Sequence, residues 1–508
     1  MEQSTNPEQQ LLKALNRTIE AGYQVDADTL KAMRKLAQQS LLEKTLEEAL
    51  NRVSKQSQKP LFLPRSLLEP PEPAPTPQIQ DSVSAKQENY AEQIEARVEV
   101  LEDPGREAIV DKNTTALLQY FRDRYTRVSS IMKQRSDTRN TITVEDALKA
   151  TLRTKNKIIC MLTDRRETKK ALFLTVEDTT SKATVLVSNS RDPTLPEKAR
   201  SLFLDQVFCM EISRIQNDLL VANEIINPDI PDIPPRLSDE EVYAAFISDI
   251  HVGSNSFLSL PFQQFLKWVK GETDQPVLRR AANRLKYVVI AGDLVDGIGV
   301  YPGQEKELSI KDIHQQYVEA AKLLSQIPEH IQIIMIPGNH DATLEALPQP
   351  PIPDEYAKPL FSRGNITNLG DPATVKLHGV EILIYHGQSL NDTIGTIPGV
   401  TYQNLEENIG LTMRALLKAR HLAPIYGGRT PIIPQATDHL IIQRPPAILH
   451  CGHVHITGYE KYRGSLLLNS GAWQKQTEYQ ERMGIVPNPG AALVVNLSNL
   501  SVQTLNCL

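Results

Sequence analysis

The chain has 508 residues, 40% of them hydrophobic, which is enough for more than one core and suggests two or more domains. Its net charge of -6 and isoelectric point near 6.1 exclude a protein whose whole surface grips a polyanion, so any nucleic acid must be held locally, by metals and nearby cations, or by a partner. Four scattered cysteines without C-x-x-C spacing argue against a zinc knuckle and for a reducing cytoplasm, and neither a signal peptide nor an apolar run of roughly 18 residues is present, so no membrane span is expected.

Residues 1–53 predict a small α-helical domain. Leu11, Leu12, Leu15 and Ile19 recur at helical spacing. Leu30, Met33, Leu36 and Ala37 do the same, and so do Leu41, Leu42, Leu46, Ala49 and Val53. Gly22 breaks the first repeat, and Asp26 or Asp28 is placed to cap the second helix. The bundle reads as an accessory domain, with a partner-docking module as the alternative. Residues 54–103 read as a disordered linker, because Pro60, Pro64, Pro70, Pro71, Pro73, Pro75 and Pro77 crowd it and Glu, Gln and Ser follow. Leu61-Phe62-Leu63 and Leu67-Leu68 are apolar islands within it.

Residues 104–235 predict a leading helix and an all-β OB-fold domain. The helix, about Glu107 to Arg135, carries Arg122, Arg124 and Arg127, a basic face that is either solvated or placed on phosphate. Strand patterns follow at Ile158–Leu162, Ala171–Glu177 and Ala183–Val187. A short helix near Glu197–Leu202 precedes two more strands, Val207–Ile212 and Leu219–Ile226, which flank the turn Gln216-Asn217-Asp218. The only aromatics between Lys157 and Ile226 are Phe173, Phe203 and Phe208, and the last two look like core. A scaffolding barrel is therefore favoured over one that stacks bases. Pro228, Pro231, Pro234 and Pro235 mark the next boundary.

Residues 236–508 contain all eleven histidines. Five apolar runs here each end in a polar, glycine-containing turn. F-I-S-D-I-H-V-G-S supplies Asp249 and His251, and Y-V-V-I-A-G-D supplies Asp293. I-Q-I-I-M-I-P-G-N-H-D supplies Asn339, His340 and Asp341, E-I-L-I-Y-H-G supplies His386, and I-L-H-C-G-H-V-H supplies His453 and His455. Continuous apolar runs suit strands buried on both faces, and open α/β sheets bind ligands beyond the carboxyl ends of such strands. Carboxylates and imidazoles delivered together are ligands for divalent cations. Between His386 and His450 an insertion predicts a helix over Gln403–His421, and its Arg414, Arg420 and Arg429 are candidate phosphate contacts. Ala491–Leu497 and Val502–Leu505 read as closing strands.

The order D-x-H, G-D, G-N-H-D, H, G-H-x-H resembles the calcineurin-like metallophosphoesterases over roughly the second half of the chain. The resemblance implies a mixed β-sandwich flanked by helices. It also implies two divalent metal ions, manganese or alternatively magnesium, clamping a phosphoryl group. On that pattern Asp249, His251 and His455 hold one ion, Asn339, His386 and His453 the other, and Asp293 bridges them. His340 would act as general acid or stabilise developing charge, with Asp341 orienting it, and no serine or cysteine nucleophile is needed. The motifs S-D-I-H-V-G-S, P-G-N-H-D, H-L-A-P-I-Y-G-G-R-T-P and C-G-H-V-H also resemble the small subunits of archaeal family D DNA polymerases. That family implies a proofreading 3′→5′ exonuclease acting on a DNA 3′ end. Its expected partners are a large catalytic polymerase subunit and a sliding clamp. Two readings remain beside it: a silent scaffold subunit, which the full ligand set opposes, and a free phosphatase or phosphodiesterase, which the helical and OB modules oppose.

Overall fold

In a computed structural model the chain is described at residues 7–21, 23–25, 27–38, 42–54, 90–107, 114–169, 171–188, 192–216 and 219–508. Gly22, Asp26, the prolines from Pro60 to Pro77, the two apolar islands and Asn217-Asp218 lie outside these residues. The chain divides into two units, Met1–Gln87 and Glu88–Leu508. In the first unit, helices α1 (Pro7–Glu20), α2 (Ala27–Gln38) and α3 (Leu42–Ser54) enclose a core of Leu11, Ala14, Met33, Ala37, Leu42, Leu46 and Ala49.

The second unit opens with a short helix, Tyr90–Gln93, and a strand, both within residues that the sequence assigns to the linker. Strand β1 (Val98–Glu102) pairs antiparallel with β11 (Ala373–Leu377), Val98 opposite Leu377 and Val100 opposite Val375. It is an edge strand with partial burial: Val98 and Leu101 are half-buried, while Glu99, Val100 and Glu102 are exposed. Next comes a closed barrel of β2 (Lys155–Glu167), β3 (Leu172–Glu177), β4 (Lys182–Val187), β5 (Val207–Gln216) and β6 (Leu219–Ile226), in the order β2-β3-β4-β6-β5. A helix, Leu195–Arg200, lies between the third and fourth strands. Phe203 and Phe208 are both buried.

Two further sheets follow. The first holds β7 (Tyr243–Ile247), β8 (Leu285–Ala291), β9 (Gln332–Ile336), β10 (Ile366–Asn368), β16 (Ala491–Asn496) and β17 (Ser501–Asn506), in the order β10-β9-β8-β7-β16-β17. The second holds β1 and β11 with β12 (Val380–Ile384), β13 (Ile448–Cys451), β14 (Gly458–Tyr462) and β15 (Ser465–Asn469), in the order β1-β11-β12-β13-β15-β14. Strands β7, β8 and β9 run parallel, as do β12, β13 and β15.

Alternate residues of these strands enter different cores, as the two-residue period requires. Along β7, Ala244 and Phe246 meet β12 residues Ile382 and Ile384 between the sheets, while Tyr243, Ala245 and Ile247 face helices on the outside. Along β12 and β13, Leu383, Leu449 and Cys451 face the helix Leu405–Ala419 on the other outer side. Both sheets are thus buried on both faces, which explains their unbroken apolar runs. Among the described residues no helix is long and apolar enough to cross a membrane.

Candidate metal centre

The predicted side chains come from the carboxyl ends of β7, β8 and β9 in one sheet and of β12 and β13 in the other. The loops after β7 and β8 are zipped together, with Asp249 N–H donating to Gly292 O (3.0 Å) and Ile250 N–H to Asp293 O (2.8 Å). Five of the seven predicted ligands, Asp249, His251, Asp293, His453 and His455, have φ between +51° and +70°. Such non-glycine conformations cost on the order of 1–3 kcal/mol each and persist only where surrounding structure enforces them. Glycines make room for the ligands. A Cβ at Gly338 would fall on the Asp293 carboxylate, and one at Gly452 on Ser248 and the Asp249 carboxylate.

The ligand atoms form two neighbouring groups. In one, His251 Nε2 lies 3.1 Å from His455 Nε2, and His455 Nε2 lies 3.4 Å from Asp249 Oδ1. In the other, His386 Nε2 lies 3.0 Å from Asn339 Oδ1 and 3.2 Å from His453 Nδ1. Asp293 Oδ2 stands between them, 3.8 Å from His251 Nε2 and 3.4 Å from His386 Nε2.

This donor set fits a cation. His386 Nδ1 donates to Ala291 O at 2.8 Å, so in the neutral ring Nε2 offers only a lone pair to the Asn339 and Asp293 oxygens. Positive charge is needed between them. The same need governs the ionisation. Burial alone would lower the His386 imidazole, but Asp293 outweighs it and holds the ring up at about 10. Burial likewise opposes the His251 cation, yet Asp296, Asp293 and Asp249 hold it at about 9. Against burial, Asp249 is held at about 2 by His455 and His386, and Asp293 well below its ordinary value by His386 and His340. Protons here occupy places that a metal ion would fill.

Residues absent from the sequence reading orient the imidazoles. Asp296 Oδ1 lies 3.1 Å from His251 Nδ1 and accepts from Gln474 Nε2 at 3.1 Å. Gln480 Nε2 lies 2.6 Å from His455 Nδ1, and Asn391 Nδ2 lies 2.8 Å from His453 Nε2. Asp296 had a sequence signal as the second carboxylate of D-L-V-D, and Gln480 as the last residue of a T-x-x-Q capping box.

His340 lies at the edge of the cluster. Its backbone N–H donates to Asp293 Oδ1 (2.8 Å) and its Nδ1 to Asp296 O (2.7 Å), which leaves Nε2 toward the cleft. Burial lowers its imidazole pKa. Asp341 does not orient this ring. Its carboxylate accepts from Gly338 N–H (3.0 Å), Leu294 N–H (3.2 Å) and the Tyr317 hydroxyl (3.1 Å), so it ties the loop after β9 to the loop after β8. Burial and the nearby Asp293 raise it to about 6. Two of the candidate arginines are also engaged elsewhere. Arg414 pairs with Glu460 at 2.9 Å, and Arg420 is buried with its guanidinium on Gln443 O. On the leading helix, Arg124 is buried against Asp438 and Arg127 donates to Asp438 O at 2.7 Å, so this part of the basic face is internal.

A cleft of about 330 Å³ opens over the cluster, lined by His251, Asp293, Asn339, His340, His453 and His455. Fold and site together define a multidomain, mixed α/β protein whose two sheets converge on a candidate metal centre. Residues 244–457 match the B-subunit family of DNA polymerases alpha and epsilon. The DNA polymerase II small subunit of Methanothermobacter thermautotrophicus is 42% identical over 402 residues, covering 78% of this chain and 81% of that protein. That of Methanocaldococcus jannaschii is 39% identical over 432 residues, covering 83% of this chain and 70% of that protein. The chain belongs to the family of DNA polymerase II small subunits. Among solved structures, an archaeal phosphodiesterase is similar at 12% identity and a TM-score of 0.23, over 52% of this chain and 99% of that one.

Proposed function

We infer that this chain is the small subunit of a family D DNA polymerase and carries a two-metal 3′→5′ exonuclease of the calcineurin-like class. The observation that carries this reading is the position of Asp293 Oδ2 between two groups of imidazole, amide and carboxylate donors. Asp249, His251 and His455 would hold one ion and Asn339, His386 and His453 the other, with Asp293 shared. When bound, such ions neutralise the phosphodiester and lower the pKa of water. Of the two expected metals, manganese suits the mixed oxygen and nitrogen donors better than magnesium, a hard cation that takes oxygen ligands.

The remaining roles belong to the protein. His340 presents Nε2 to the cleft and in its protonated form donates to the leaving oxygen. Asp341 keeps the loops after β8 and β9 in register beneath it. The OB-type barrel serves as a scaffold, because Phe203 and Phe208 are core residues and leave few rings for stacking. A large catalytic subunit is the expected partner, since an acidic chain is ill suited to hold DNA alone.

The test is a 5′-labelled single strand incubated with the purified chain and manganese, then repeated after co-purification with the large subunit. Shortening from the 3′ end that stops with chelator supports the reading. No digestion in either preparation would leave a silent scaffold subunit.

A further inference from the structure

We propose that Arg429 selects the substrate of this site by binding the phosphate one nucleotide to the 5′ side of the scissile bond. The proposal rests on the exonuclease reading, and it concerns which DNA ends are cut efficiently.

The cleft is an unusual place for a polyanion. Asp293, Asp296 and Glu345 line it, and Arg429 is the one lysine or arginine among its described lining residues. Bound ions would meet the scissile phosphate. The neighbouring phosphate of a longer strand meets carboxylates unless a fixed cation receives it. Arg414 and Arg420, the other arginines of the insertion, are held by Glu460 and Gln443. Arg429 is exposed, and no carboxylate pairs with its guanidinium among the described residues. Its planar fork suits a phosphate better than a point charge would.

Its loop is built to hold it there. The Asp392 carboxylate accepts from Arg429 N–H (2.9 Å), Thr430 N–H (3.2 Å) and the Thr430 hydroxyl (2.8 Å). Asp392 thus fixes the backbone and leaves the side chain of Arg429 to the cleft. A Cβ at Gly428 would press on the same carboxylate, so the loop approaches it closely. A short hydrogen-bond path then ties the arginine to the metal centre. Arg429 Nη1 donates to the Tyr402 hydroxyl (3.3 Å), and that hydroxyl donates to Asn391 Oδ1 (2.8 Å). Asn391 Nδ2 in turn meets His453 Nε2 (2.8 Å). A phosphate on Arg429 is therefore held at a set place relative to His453.

Two dinucleotides with the same single phosphodiester bond test this. The first, pdTpdT, carries a 5′-phosphate, and the second, dTpdT, lacks it. The unmodified chain with manganese should cleave pdTpdT with kcat/KM about 10- to 100-fold higher, the worth of one charge-assisted phosphate contact. Arg429→Ala should cleave both at the same rate and keep its metal content by elemental analysis. Arg429→Lys should recover part of the preference. A preference undiminished in Arg429→Ala overturns the proposal while the exonuclease reading stands. If neither the unmodified chain nor its complex with the large subunit cleaves the dinucleotides or a longer labelled strand, the exonuclease reading falls, and fluorescence anisotropy with a labelled oligo-dT strand tests Arg429 alone. Arg429→Ala should then bind about 10- to 100-fold more weakly. Its slope of log affinity against log salt should flatten by about 0.7. Unchanged affinity and slope would overturn the proposal.

Discussion

Asp293 and His340 are neighbours in space with separable roles. Asp293 Oδ2 lies within 4 Å of imidazoles from both donor groups, whereas the His340 ring meets the cluster from one side, through the Asp296 carbonyl, its edge-on packing on His251 and a ring nitrogen within 4.8 Å of ligand atoms of His251 and Asp296. Asp293→Asn removes a charge that both groups share, so metal content and nuclease activity should fall together. His340→Ala should keep both metals and the fold, while its rate on DNA falls by about 10²–10⁴, the usual worth of a positioned general acid. An alkoxide leaving group needs that proton more than a phenolate does. An aryl phosphodiester should therefore lose less than DNA. Loss of metal from His340→Ala, or equal damage to both substrates, would remove the acid role. Asp341 belongs to a different class of test. Because its carboxylate accepts from three backbone N–H groups, of Leu294, Val295 and Gly338, and from the Tyr317 hydroxyl, Asp341→Ala should lower stability by about 1–3 kcal/mol, the penalty for stranding buried donors. Thermal unfolding reads this independently of rate.

The loop elements around the site depend on the helix whose arginines, from the sequence, are expected to face either solvent or phosphate. In Thr114–Lys133, Arg124 is fully buried and donates to Asp438 Oδ2 (2.7 Å) and to Pro424 O (2.6 Å). His421 Nε2 lies 2.8 Å from the same Asp438 oxygen, and its Nδ1 accepts from Ala423 N–H at 3.0 Å. This cluster secures both ends of the segment whose middle carries Arg429 and Thr430 over the cleft. Removing Arg124 alone strands a buried carboxylate and should cost about 3–5 kcal/mol. The pH response has a defined sign. Burial, with the Arg124 charge adding to it, depresses His421 to about 4, against about 6.5 when unfolded. Stability from the neutral ring is present above pH 6.5 and is lost as pH falls toward 4, by on the order of 3 kcal/mol. In chemical denaturation, the stability gap between the unmodified chain and His421→Gln should narrow across that window. Parallel curves would refute the assignment. Much at this scale was legible in the sequence, because each buried strand ends where its apolar run meets a glycine and a polar ligand. Side-chain direction was not. Nothing in G-N-H-D tells that Asp341 turns away from His340 toward Tyr317, and nothing in L-L-Q-Y-F-R-D-R tells that Arg124 faces inward. Those outcomes depend on partners more than a hundred residues away or on loops with positive φ, which local spacing does not encode.

At the scale of the whole molecule, the contacts of the second unit begin earlier in the chain than proline content suggests. The sequence reading ended the linker at residue 103, yet the chain is engaged from Tyr90 onward. The Arg284 guanidinium sits 4.1 Å over the Tyr90 ring, and the buried Lys286 ammonium donates to Ala91 O at 2.8 Å. Arg97 N–H donates to the Tyr287 hydroxyl (2.8 Å), β1 covers the edge of β11, and Asp103 Oδ1 accepts from Gly370 N–H (2.8 Å). Val-Glu-Val-Leu-Glu carries an alternating signal, but it is short and follows a long polar stretch, so composition masked it. Two truncations distinguish the boundaries. A chain beginning at Glu88 keeps every one of these contacts and should unfold at the same temperature as the second unit of the full chain. A chain beginning at Pro104 loses them. At roughly 1 kcal/mol per net hydrogen bond, the three side-chain-to-backbone bonds alone cost about 3 kcal/mol, before the β1 ladder is counted. It also bares β11 as an edge strand, which favours association between copies. Because β11 pairs with β12, and His386 follows β12 directly, the damage lies one strand away from the candidate metal centre. The Glu88 chain should therefore retain metal and 3′→5′ digestion, whereas the Pro104 chain should melt earlier, aggregate and lose metal. Size-exclusion chromatography, thermal unfolding and elemental analysis on both preparations decide it, and equal behaviour of the two chains would return the boundary to residue 103.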